Sequence, residues 1–350
     1  MAEILGLGMT HTPAMLRVDE DVAGTLRRLL GGSRIPERLK DPRNWPAPMQ
    51  KEWGDDKGVA NGREHRERCF AASRVIRQRL DAFKPDAVVI FGDDQYENFT
   101  EECLPPFCVY ITDPMESRPF APGAGTYQRN VWNEGPDTLF RHNGHKALAR
   151  QLVIGLNEEG MPIPYAYRLR YGRGLAHAFI NTLLYLDVDR KGFPYPVVPF
   201  HVNCYGSEVV RLQGANNLTE TLVGDQDPPA PSPKACFDMG RAVGRVLARS
   251  KHRVALIASS SWSHAFLTPK NDCLYPDIAS DRARFAELKD NRFSAWRELS
   301  LATIEDAGQQ EFLNWITVAG AMAELGKKVE VIDWVESYVV NSNKCFAVFA

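Results

Sequence analysis

Much of what would assign this sequence at a glance is missing from it. There is no C-x-x-C pair, and the seven cysteines, at 69, 103, 108, 204, 236, 273 and 345, are odd in number and scattered. That spacing argues against a disulfide framework and against a structural zinc site, and reduced thiols in a cytoplasmic protein are the expectation. No run of about 18 apolar residues occurs, which speaks against a membrane span. The opening MAEILGLGMTHTPAML has no basic n-region and soon turns polar, so it reads as a first strand and not as a secretory signal. Excess charge is absent as well. With 42 Lys+Arg against 44 Asp+Glu, the 350 residues carry a net charge of −2, so neither nucleic acid nor a membrane surface is an expected partner. Gly6-Leu7-Gly8 does not extend to a dinucleotide fingerprint, and no Walker A motif is present. Ser259-Ser260-Ser261 stands near His264 without the G-x-S-x-G elbow of a serine hydrolase. There is no internal repeat and no low-complexity tract.

What the sequence does have is an alternation of helical and extended patterns along its whole length. Residues 61–83 place Cys69, Ala72, Val75, Ile76 and Leu80 at helical spacing, with Asn61 as candidate N-cap. Lys84-Pro85-Asp86 ends that helix, and Ala87 to Phe91 follows as a continuous apolar strand. Further strands are read at 4–8, 106–111, 165–169, 195–202, 254–259 and 329–340. Further helices are read at 144–158, at 236–249 and within 281–324. Residues 31–60 are rich in Gly, Pro, Trp and charge and read as an irregular insertion, a candidate lid; residues 225–234 read as a proline loop. The alternation implies an α/β fold, a layered sandwich with a central mixed sheet and helices on both faces. No boundary interrupts it, so one domain over 1–350 is expected.

Several apolar strands end in a turn that carries a polar or coordinating side chain. His11 follows the first strand, Asp93-Asp94-Gln95 follow 87–91, Asn203 follows 197–202, and His264 follows 254–259. In open α/β sheets ligands bind beyond the carboxyl ends of the strands, so these residues can converge on one cleft. The acidic run at 93–97 can bind a divalent cation through carboxylate oxygen, and a hydrated turn is its rival reading. Tyr96, Phe99, Trp262 and Phe266 offer ring faces to an aromatic substrate, and Arg168, Arg170 and Arg173 can grip a carboxylate. Packing and solvated charge are the alternatives for each.

Seven segments, in order and spacing from about residue 3 to 349, resemble one family. Thr10-His11-Thr12-Pro13-Ala14 stands where that family has S-H-x-P-A. Asp93-Asp94-Gln95-Tyr96-Glu97-Asn98-Phe99 stands at N-D-H-x-x-x-F, with Gln95 in the place of the histidine, and Leu175-Ala176-His177 is similar to D-H-G. Val198-Pro199-Phe200-His201-Val202-Asn203 is similar to I-P-x-x-V-N. The segment from Pro228 to Gly240 is similar to P-P-P-S-x-K-R-C-x-x-L-G, Ser260 to Ala265 to G-G-x-S-H-Q, and Gly308 to Trp315 to E-G-V-E-L-x-x-W. The chain thus resembles the class III extradiol ring-cleavage dioxygenases, whose type is the protocatechuate 4,5-dioxygenase β subunit.

The resemblance implies an Fe2+ cofactor, with another divalent metal as the alternative, and a ring-cleaving oxidoreductase that uses O2 on a catechol-like or hydroxylated aromatic substrate. It implies His11 and Glu311 as metal ligands and His264 as acid/base. It implies His177 as a second catalytic histidine at the substrate or the oxygen intermediate, and a homodimer as the assembly. The second imidazole ligand of the family falls on Gln95, a weaker, harder donor. His65, near the start of the 61–83 helix, is the candidate replacement, with Gln95 the other candidate ligand; an exposed helix histidine is the alternative reading of His65. Asn203, Trp262 and Arg173 are the candidate substrate-binding residues. Two other functions are consistent with the scaffold. One is a metal-dependent hydrolase or lyase that has lost oxygen chemistry, and the other is a non-catalytic binding protein.

Overall fold

A computed structural model describes residues 3–122, 129–170, 174–206 and 228–350. The strands are β1 Ile4–Met9, β2 Ala87–Gly92, β3 Phe107–Tyr110, β4 Met115–Ser117, β5 Phe140–His142, β6 Tyr165–Ala166, β7 Val197–Val202, β8 Val254–Ser259, β9 Val329–Val335 and β10 Lys344–Phe349. The helices are α1 Gly24–Leu30, α2 Ala47–Trp53, α3 Val59–Phe83, α4 Lys146–Glu158, α5 His177–Leu186, α6 Pro233–Ala248, α7 Ile278–Lys289, α8 Leu301–Asp306 and α9 Leu313–Glu324.

Eight strands form one mixed sheet in the order β6-β3-β7-β2-β8-β1-β10-β9, and β4 and β5 form a separate ribbon. The inner four, β7, β2, β8 and β1, run parallel. Every residue in these four is buried. Their unbroken apolar runs follow from that position, because a parallel strand is covered on both faces. Two apolar cores result, one built around α4, α6 and α9 and the other around α3 and α5. The layered α/β expectation therefore matches the architecture.

Register brings the strand ends level. Met9 pairs with Ser259, and Gly92 pairs with His201. The loops after β1, β2, β7 and β8 consequently leave the same edge of the sheet side by side. On one face α9 lies directly on β1, where a Cβ on Gly8 would come within 2.1 Å of the Trp315 ring. The same helix meets α6 backbone to backbone. A Cβ on Gly240 would stand 1.8 Å from the Thr317 carbonyl oxygen, and one on Gly320 would stand 2.0 Å from that of Phe237.

Three segments differ from the sequence reading. The last strand expected at 329–340 is β9 and ends at Val335, and a further strand that the sequence reading lacked, β10, lies antiparallel between β1 and β9. The β4–β5 ribbon was not anticipated, and the 165–169 strand is confined to Tyr165–Ala166. Residues 31–60 are largely turns and short 3-10 pieces, as expected, but they are packed and not a loose loop. They contain α2 and bury Ile35, Leu39, Trp45, Met49 and Trp53 in the core. The Glu52 carboxylate accepts hydrogen bonds from the backbone of Tyr338 and Val339 and from the Ser337 hydroxyl, which ties the segment to the turn after β9.

Candidate metal and active site

Three buried side chains at this sheet edge bring donor atoms within 4.8 Å of one another: His11 after β1, Asp93 after β2, and Glu311 in the short turn that leads into α9. His11 Nε2 lies 3.4 Å from Glu311 Oε2 and 3.9 Å from Asp93 Oδ1. The other ring nitrogen, Nδ1, donates to the Ser259 carbonyl at 2.9 Å. That bond fixes the tautomer and turns the Nε2 lone pair toward the two carboxylates.

Neutral donors hold the carboxylates. Gln95 Nε2 lies 3.0 Å from Asp93 Oδ2, from Glu311 Oε1 and from the Tyr205 hydroxyl. Tyr205 donates to Glu311 Oε1 at 2.8 Å, and Asn314 Nδ2 donates to Asp93 Oδ1 at 3.3 Å. Glu311 Oε2, facing His11, is buried without a hydrogen-bond partner. Burial, and then the proximity of Asp93, hold the Glu311 carboxyl well above the ordinary carboxylate range, and burial raises Asp93. His11 is pushed far down by burial and by His177. An unpaired buried carboxylate oxygen, a neutral imidazole lone pair and a second carboxylate make a donor set that a divalent cation fits, since it supplies the positive charge missing from the cluster.

Two more imidazoles flank these groups. His264 Nε2 is 3.4 Å from Glu311 Oε1. Burial and then Lys344 lower its pKa to about 3, so the ring is neutral at pH 7. The His177 ring meets His11 edge to face at 5.1 Å between centroids. Burial alone would lower His177, but the Glu97 carboxylate, 2.9 Å from Nδ1, outweighs it with help from Asp93 and Glu311 and raises the pKa to about 9. Glu97 also accepts from the His177 backbone N–H at the start of α5. Its own position comes from Asp94, whose carboxylate accepts the backbone N–H groups of Glu97, Asn98 and Phe99 and so shapes the turn after β2.

The structure thus brings together His11, Glu311, Gln95, His264 and His177. It does not bring in His65. That ring is buried on α3 with Nε2 against the Glu336 carbonyl and Nδ1 against the Asn61 carbonyl, so neither nitrogen is presented to the cluster. The helix does start at the cleft end of the sheet, but this side chain is turned to the segment after β9. Gln95 presents its amide nitrogen to two carboxylates and so holds the acidic pair together, which leaves only its neutral carbonyl oxygen as a donor. Trp262 is fully buried among Trp296, Phe312, Trp315 and Trp334, and forms core instead of a substrate surface. Phe99 is likewise packed, on Tyr110 and His201. Asn203 accepts the Gly206 N–H within its own turn, close in sequence to Tyr205. Arg173 lies outside the described residues.

Sequence reasoning missed Asp93 as a separate donor, Glu97 as partner of His177, and Tyr205 and Asn314 as holders of the carboxylates. Asp93 and Glu97 belong to the acidic run already marked, Tyr205 follows a strand end, and Asn314 lies one helical turn beyond Glu311.

Fold and centre define a layered α/β protein with a buried His–Asp–Glu cluster at the carboxyl edge of a parallel strand quartet. No protein-family model matches the chain. Among curated proteins it is similar to the 2,3-dihydroxyphenylpropionate/2,3-dihydroxicinnamic acid 1,2-dioxygenase of Paraburkholderia phymatum, at 27% identity over 195 residues, or 55% of this chain and 47% of that protein. The protein of the same name from Photorhabdus laumondii is 23% identical over 203 residues, 58% of this chain and 50% of that one. A second-numbered form from Pseudomonas putida is 26% identical over 214 residues, 61% and 52% of the two chains. The chain spans about half the length of the curated relatives it matches. Among solved structures, an uncharacterized protein of Escherichia coli K12 aligns over 79% of this chain and 92% of its own, at 13% identity and a TM-score of 0.47. No helix among the described residues is long and apolar enough to cross a membrane.

Proposed function

We propose that the protein is a metal-dependent extradiol ring-cleavage dioxygenase of the class III type, acting with O2 on a catechol-like substrate. One observation carries the reading. The lone pair of His11 Nε2, the unpartnered Glu311 Oε2 and Asp93 meet in a buried cluster, with His264 against the same Glu311 carboxylate. The names of the relatives support the same chemistry, since each is called a dioxygenase of a dihydroxylated aromatic acid.

His11 and Glu311, with Asp93, are the residues that would hold the metal, Fe2+ on the resemblance. A bound divalent ion supplies polarisation of the two vicinal oxygens and a route for charge from ring to O2. The protein's own groups divide the proton work. His264, neutral at pH 7, accepts a phenolic proton; His177, protonated and held by Glu97, donates one as the ring opens. Both oxygen atoms end in the ring-opened product. Burial of the whole cluster keeps water from competing for these protons.

The test is O2 uptake, read on an electrode, with the rise of ring-opened product absorbance on a panel of catechols. Uptake in step with product is expected. Alanine at His264 or His177 should lower kcat by about 10²–10⁴-fold, the usual contribution of a positioned acid or base. Turnover under anaerobic conditions, or no uptake with any catechol, overturns the reading and favours a hydrolase, lyase or binding protein. Homodimer assembly, which the resemblance implies, is read by light scattering.

A further inference from the structure

We infer that Asp93 is the third metal donor, in place of the imidazole that falls on Gln95. The centre is then one imidazole and two carboxylates, and it favours Mn2+ over Zn2+ more than a two-imidazole centre would. This rests on the reading above that the cluster holds a metal, and it says which ion and through which atoms.

The argument is one of donors and partners. Within the described residues, His11, Asp93 and Glu311 are the group whose donor atoms converge. His264 and His177 are not members of that group: His264 Nε2 lies 3.4 Å from Glu311 Oε1, and His177 is held through Nδ1 by Glu97. Gln95 Nε2 is spent on the two carboxylates, 3.0 Å from Asp93 Oδ2 and from Glu311 Oε1, and its other polar atom, the amide oxygen, is a neutral donor weaker than the Asp93 carboxylate. The bridge has a purpose of its own. Two buried carboxylates repel each other, and a neutral amide donating to one oxygen of each holds them together while Glu311 Oε2 stays open. A histidine there would instead insert a softer ligand between them. Nitrogen donors raise affinity steeply along the series toward Zn2+, whereas carboxylate oxygens discriminate less and suit Mn2+. Exchanging imidazole for carboxylate therefore narrows the advantage of Zn2+.

The test measures binding and needs no turnover. The metal-stripped full chain is titrated with Mn2+ alone, with free Mn2+ read by its EPR signal, and Zn2+ is measured by competition. Asp93→Asn should weaken Mn2+ at least tenfold, and Gln95→His should raise the ratio of Zn2+ to Mn2+ affinity at least tenfold. Pulsed EPR of Mn2+ in the unmodified protein should show one coordinated imidazole nitrogen, which His11→Ala removes; this keeps the test independent of whether Asp93→Asn folds. Two coordinated imidazoles, or unaltered Mn2+ affinity in folded Asp93→Asn, overturn the inference. Binding through Asp93 without O2 uptake would sink the dioxygenase reading and leave this one standing, and O2 uptake with two imidazole ligands would do the reverse.

Discussion

Single side chains decide how protons are handled at the centre. Glu97 keeps His177 charged against the burial that would strip its proton. The folded pKa, about 9, lies above the ordinary 6.5, so the stability this pair contributes is complete below about pH 6.5 and is lost as pH rises through about 9. Glu97→Gln removes the charge and leaves burial dominant. The expected outcome is an alkaline limb of the kcat profile shifted to lower pH, read from pH–rate curves of the two proteins. A profile that does not move would separate His177 from proton donation. Tyr205 donates to Glu311 at 2.8 Å and accepts from Gln95 Nε2 at 3.0 Å. Tyr205→Phe should cost about 10-fold or more in Mn2+ affinity, the usual effect of deleting a group that orients a ligand, with the thermal transition little changed.

At the scale of elements, Glu311 owes its position to the contact of α6 with α9. Alanine at Gly240 or Gly320 drives a methyl into a facing carbonyl, and α9 has to retreat. Each should destabilise by about 1–3 kcal/mol or more in chemical denaturation and weaken metal binding in parallel. Asp281 in α7 joins the two loops of the site. Its carboxylate accepts from the Ser263 N–H at 3.1 Å and from Gln309 and Asn343 at 2.6 Å each, beside His264 on one side and Glu311 on the other. Asp281→Asn turns one acceptor toward donors as a donor. A loss of about 1–3 kcal/mol with a fall in kcat is expected, measured by denaturation and by O2 uptake.

These same elements show what the sequence could disclose. Buried parallel strands were legible because their apolar runs are unbroken, and β8 was read at its observed bounds. The strand-end rule placed His11, Gln95 and His264 on one edge. The β4–β5 ribbon was not legible, since strands of three residues carry too little pattern. Nor was the packing of 31–60, whose tryptophans are spaced by turns and not by a period. His65 shows the limit of reasoning by helix end: the end of a helix fixes a position, while the side of the helix decides which neighbour the ring meets.

For the whole molecule, burial of imidazoles sets the acid side of stability. Burial lowers His142 to about 4, and it lowers His201 to about 3 despite the Pro105 carbonyl. An unfolded chain takes up these protons near pH 6.5 while the folded one refuses them, so stability falls as pH drops from about 6.5 toward 4. Phenylalanine at both positions should flatten that slope in denaturation midpoints collected between pH 7 and pH 4.5. The placement of β1 reaches further, into how the protein is made. Its paired neighbours, β8 and β10, are both synthesised long after it, and 248 positions separate His11 from the Ser259 carbonyl that sets its tautomer. On the ribosome that imidazole stays unoriented until most of the polypeptide has emerged. On the proposed reading, an ion would be captured only late in assembly, since a half-made chain has no finished cage in which a stray cation can lodge.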